Sequence, residues 1–175
     1  MIKDHWRRIA AIHCQDSDGK LAAVWLAFDG DTNVAHLYDC AVFANEVPAV
    51  IAEGMNARGR WIPVAWEAQA KPVMQMLLDR GVNMLPDPSD PTPAEIEVVS
   101  REIRQRMRTG QFRVDKRLAE WLDEYRAFYR QDAQVPTSSY PLMSATRLAV
   151  SQLEWARAQI PFGARRNIFP KVAIV

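Results

Sequence analysis

Histidine and cysteine are scarce in this chain, three and two among 175 residues, and neither type is grouped. His5, His13 and His36 lack the paired spacing of a metal site, so nothing local encodes a zinc centre built on imidazole. Cys14 and Cys40 stand in apolar runs without a CxxC arrangement, which reads as buried thiols in a reducing compartment. Neither sign of charge is in excess: 22 Lys plus Arg face 21 Asp plus Glu, a net charge of +1. Attraction to nucleic acid must therefore come from local clusters. No apolar run approaches the ~20 residues of a membrane span, and Met1 to Trp6 lacks the apolar core of a signal peptide. The expectation is a soluble, cytoplasmic protein without a membrane partner. Repeats, low-complexity tracts and a GxSxG elbow are missing as well. Gly54-Met55-Asn56-Ala57-Arg58-Gly59 imitates the glycine spacing of a phosphate loop, but it lacks the Lys-Ser/Thr pair and runs from helix to strand. No nucleotide partner is expected.

What is present is one domain's worth of alternating pattern. Three runs, Arg8 to Cys14, Lys20 to Phe28 and Val34 to Phe43, are separated by Asp16-Ser17-Asp18-Gly19 and Asp29-Gly30-Asp31-Thr32-Asn33. These predict an antiparallel meander. Helix and strand then alternate: a helix over Glu46 to Ala57, a strand over Trp61 to Trp66, a helix over Lys71 to Arg80, and a fifth strand over Val82 to Leu85. That rhythm implies crossovers and parallel neighbours. A proline-rich loop, Pro86 to Pro93, precedes a helix ending at Arg108. Phe112 to Val114 is a short extended piece, Lys116 to Arg130 an amphipathic helix, and Pro141 to Ala158 the last helix, with its proline tolerated in the first turn. The order predicts an α/β, ribonuclease H-like fold: a five-stranded mixed sheet of three antiparallel strands followed by crossover strands, flanked by helices. Residues 1–160 form the expected domain, and 161–175 a tail without assignment.

Arg101, Arg104 and Arg108 recur at i, i+3 and i+7, followed by Arg113. Such a stripe grips phosphate oxygens of double-stranded DNA without reading sequence, although Glu95, Glu97 and Glu102 also suit a solvated face. Trp121, Tyr125, Phe128 and Tyr129 at helical spacing read as core.

Several segments carry a resemblance. They are Asp4-His5-Trp6-Arg7-Arg8-Ile9, Ala22-Ala23-Val24-Trp25-Leu26, Ile62-Pro63-Val64-Ala65-Trp66, Arg106 to Val114, Glu124-Tyr125-Arg126, and Leu142-Met143-Ser144-Ala145-Thr146-Arg147-Leu148-Ala149-Val150. In order and spacing over residues 4–158 the chain resembles the nuclease domain of the large terminase subunit, the DNA-packaging motor of tailed phages, in the branch of P22-like phages. The resemblance implies a phage or prophage origin, a bacterial host cell, and packaging proteins as partners.

It also implies a site of acids on the first strand, at the end of the fourth, and at the start of the last helix, holding two divalent metals. Such ions, ~3.5–4 Å apart, need several anionic oxygens between them. Carried over by position, those acids fall at His13, at Gln69 within Glu67-Ala68-Gln69, and at Tyr140-Pro141. None is a carboxylate, so the implied reaction is lost or reduced to trace and no cofactor is expected. The competing reading is an active endonuclease that uses Mg or Mn on a site rebuilt from Asp16, Asp18, Asp39 and Glu67.

Overall fold

The computed structural model describes residues 2–14, 20–130 and 140–159. Strands β1 (Arg7–Cys14), β2 (Lys20–Asp29) and β3 (Val34–Ala44) form the antiparallel meander. The turn between β2 and β3 is set by Asp29, whose carboxylate accepts from the Thr32 hydroxyl at 2.7 Å and the Asp31 N–H at 3.1 Å. Asn33 then takes φ 56°, a left-handed conformation its short polar side chain tolerates.

Beyond the meander come α1 (Pro48–Ala57), β4 (Val64–Ala65), α2 (Lys71–Leu78), α3 (Pro93–Arg108), β5 (Phe112–Val114), α4 (Ala119–Arg130) and α5 (Pro141–Ser151). The sheet order is β4-β1-β2-β3-β5, with β4 parallel to β1 and β5 parallel to β3. This is the expected five-stranded mixed sheet, with one exchange of parts. The fifth strand is Phe112–Val114, whereas Val82 to Leu85 makes only a single bridge, Val64 to Met84. Pro86 follows at once and supplies no N–H to lengthen a ladder, and the Leu85 carbonyl is taken by the Trp66 indole at 2.7 Å. The expected fourth strand shortens to two residues behind Pro63, and α5 stops at Ser151. After a 3-10 turn at Leu153–Trp155, Arg157 pairs back through its backbone with Arg8.

Both faces of the sheet are buried, which is why its strands read as nearly unbroken apolar runs. Ala10, Ile12 and Trp25 face α1 and α2, while Ile9, Ala11, Val24, Leu26 and Leu37 face α3, α4 and α5. Helix α5 lies directly on β1 and β2. Ala145 and Ala149 are fully buried there, and such small side chains admit close approach of a helix to a sheet. Trp121 of α4, also fully buried, donates its indole N–H to the Thr146 hydroxyl at 2.9 Å, and that hydroxyl donates in turn to the Leu142 carbonyl at 2.7 Å. Phe128 packs in the same core; the Tyr129 side chain lies outside the description. Helix α3 opens with a reciprocal cap: Thr92 accepts from the Glu95 N–H, and Glu95 accepts from the Thr92 N–H at 2.7 Å. Cys14 and Cys40 are free and half-buried. Among the described residues no helix is long and apolar enough to cross a membrane.

Candidate nuclease-type site

The C-terminal ends of β1 and β4 are neighbours because the two strands pair in parallel, Ala10 with Val64 and Ala11 with Ala65. Two residues further along each strand stand His13 and Glu67, and their side chains meet. His13 Nδ1 lies 2.7 Å from Glu67 Oε2, with side-chain exposures of 8% and 17%, so solvent screens the pair poorly. When Glu67 is ionised it only accepts, and Nδ1 is then the donor in this bond.

A second carboxylate approaches from α4. Glu124, half-buried, accepts the Met143 N–H at 2.8 Å and caps the N-terminus of α5, where Tyr140 provides no side-chain cap. Burial pushes its carboxyl above the ordinary range; the backbone bonds from Met143 and Leu142 and the nearby His13 and Arg147 act the other way. Glu124 is absent from the acids that the sequence offers as substitutes. Its only signal there is membership of Glu124-Tyr125-Arg126, because α4 reaches the site only in three dimensions.

The remaining predicted positions are spread out. Gln69 is exposed on the 3-10 turn Ala68–Ala70. Tyr140 is buried and meets Phe128 edge-on, ring centres 5.4 Å apart, and Pro141 is the first residue of α5. Asp39 sits two strands away on β3, held by the Arg58 guanidinium. Asp16 and Asp18 lie outside the described residues. Among the described residues, no three His, Cys, Asp or Glu side chains gather to hold a metal ion.

A cleft of about 350 Å³ borders Glu67 and is lined also by Ser89, Asp90, Glu95, Ser144 and Arg147. The first half of α3 lines it, and the arginine stripe occupies the second half. Arg101 pairs with Glu97 at 2.8 Å, and Arg101, Arg104 and Arg108 are all exposed. Arg113 does not join them. Phe112 enters the core under α3, so strand alternation turns Arg113 to the opposite face of the sheet.

No family model and no curated protein matches this chain. Solved structures do. The P22 large terminase nuclease domain superposes with a TM-score of 0.78 at 23% identity, covering 90% of this chain and 87% of that one. The fold is that of terminase nuclease domains. The large terminase nuclease domain of bacteriophage SPP1, solved with bound Mn, gives 0.65 at 15% identity over 87% and 92% of the two chains. The large terminase nuclease of thermophilic phage G20c with bound magnesium gives 0.51 at 21% identity over 86% of each, and it is also known with bound zinc.

The expectation of no cofactor is corrected by these neighbours, since solved domains of the terminase nuclease fold carry manganese, magnesium and zinc. Around this position the described acids already have partners. The first-strand position is an imidazole bonded to Glu67, and Glu124 already serves two backbone amides.

Proposed function

We propose that this chain is a terminase nuclease-like domain of phage or prophage origin, related to viral DNA packaging, in which two-metal cleavage has degenerated and contact with DNA or a packaging protein remains. Residues 1–160 make up that domain. The observation that carries the reading is the His13–Glu67 bond of 2.7 Å. Where the resemblance puts a first-strand acid, a potential cation is bonded to the acid of the neighbouring strand. A carboxylate in that place would add to the charge that attracts dications; an imidazole adds none. Divalent metal is the cofactor class the fold brings with it, so any test of cleavage is made with metal supplied.

The exposed arginines of α3 support backbone contact with duplex DNA. Their neighbours Glu97 and Glu102 moderate the charge, which suits weak, sequence-independent contact better than tight binding.

The deciding experiment incubates the purified protein with supercoiled plasmid in Mg²⁺ or Mn²⁺, beside Glu67→Ala. The proposal expects no nicking above the chelator control in either. Metal-dependent nicking by the natural chain that disappears in the variant establishes a rebuilt nuclease instead.

A further inference from the structure

Strand β5 pairs with only Ala35, His36 and Leu37 of β3, and the last bond on that side runs from the Asp115 N–H to the Leu37 carbonyl at 2.9 Å. Beyond it β3 continues from Tyr38 to Ala44, and among the described residues no strand meets its outer side. Asn45, at φ 58°, ends the extended run. Alternate residues of such a run turn both their N–H and C=O groups outward. The open edge is about 24 Å long.

The usual protections of an edge are missing here. Tyr38 to Ala44 contain no proline, lysine or arginine, and their one acid, Asp39, is bonded to Arg58. On one face of the strand, beyond Cys40, Val42 is 38% exposed. On the other face Gly54 of α1 backs onto the Phe43 ring so closely that a Cβ there would meet it at 3.1 Å, and Arg58 reaches Asp39. The same stripe of α1 opens with Val47 and Val50, seven and four residues before Gly54 and both exposed. Three exposed valines thus border one unprotected edge.

We propose that this edge is covered by the same edge of a second copy, the two β3 strands pairing antiparallel about a two-fold axis at Val42 to make one continuous sheet. In that register Val42 meets Val42 of the partner subunit, and Ala41 meets Phe43 of the partner subunit. No charge stands from Cys40 to Ala44, so nothing on the axis repels its own image. Charge also favours the antiparallel direction. Glu46 is exposed just past one end of the run; Lys116, next to Asp115 at the other end, is exposed and in no ion pair among the described residues. Antiparallel pairing brings the acid of each copy toward the base of the other, twice. The strand and the flanking helices cover about 500 Å² on each copy, the low end for a specific interface, so the dimer is weak and its dissociation constant on the order of micromolar or above. The edge lies apart from the His13–Glu67 pair, so the proposal does not depend on the state of the nuclease-type site.

Sedimentation velocity of the full chain from about 5 to 500 µM tests this, since that range brackets a weak dimer. A reversible monomer–dimer equilibrium is expected. Val42→Lys sets like charges together on the axis and should weaken association at least about tenfold, as should Val42→Glu, whereas an equimolar mixture of the two should associate again. Val98→Lys, on a valine 59% exposed on α3, should behave as the natural chain does. Cooperative thermal unfolding shows that each variant keeps the fold. In hydrogen exchange, amides between Cys40 and Ala44 should slow as concentration rises. A natural chain that stays monomeric overturns the proposal: free exchange then means an open edge, and protection at every concentration means that another part of the same chain covers it. Association that survives Val42→Lys, or a mixture that does not recover, overturns it as well.

Discussion

His13 on β1 and Glu67 beyond β4 are 54 residues apart in sequence, yet Nδ1 and Oε2 are 2.7 Å apart across the end of a parallel strand pair. Removing one partner leaves the other poorly hydrated. His13→Ala is expected to cost about 3 kcal/mol, a fall in Tm of roughly 6–12 °C. A double-mutant cycle with Glu67→Ala, read by thermal unfolding, should show coupling of at least about 1 kcal/mol. Strictly additive losses mean that the contact contributes nothing.

Glu124 gives a pH dependence of defined sign. Its folded carboxyl holds a proton to higher pH than an unfolded one, whose ordinary value is 4.5. The group's contribution is therefore fully present below 4.5 and declines as pH rises through the raised folded value. In urea unfolding between pH 4 and 7, Glu124→Gln should lose that decline, so the natural chain weakens relative to the variant as pH increases. Parallel profiles would contradict the assignment.

Thr146 joins α5 to α4 by accepting from Trp121 while donating to Leu142. Thr146→Val keeps the shape but leaves a fully buried indole N–H with no acceptor, an expected loss of about 1–3 kcal/mol. Thr146→Ser should recover most of it. Denaturant midpoints of the three proteins decide; equal midpoints for valine and threonine would reject the hydrogen bond as a source of stability.

The arginines of α3 make a prediction about salt. A gel-shift series with non-specific duplex DNA should weaken steeply between 50 and 200 mM salt, and Arg104→Ala should reduce the slope of log K against log salt by about one. Retardation that ignores salt, or none at low salt, favours a packaging protein as the partner of this domain.

Much of the sheet is legible in the sequence because both signals of a meander are strong there: paired turn chemistry at Asp29 to Asn33, and apolar runs of strand length on either side. The fifth strand is not. Val82 to Leu85 and Phe112 to Val114 are equally short, and only the neighbour that each meets, Val64 in one case and β3 in the other, decides which becomes a strand. At the site, His13 stands out through the resemblance to terminases, which aligns the fourth-strand acid with Gln69 and leaves Glu67 only as a substitute beside it. Glu124 does not stand out, since it is a surface-like residue of an amphipathic helix until α5 is docked beside it. Arg113 shows the same limit: four residues of linear spacing from Thr109 conceal a change from helix to strand that sends its side chain to the other face.

The two outermost strands of the sheet, β4 and β5, are only two and three residues long. Each therefore offers a foreign strand almost no free backbone to zip onto, and Pro63 directly before β4 withholds a further donor. The longer open edge lies one strand further in: β5 covers only Ala35 to Leu37 of β3, so among the described residues Tyr38 to Ala44 meet no strand on that side, and a foreign strand joining this sheet has its backbone to meet there.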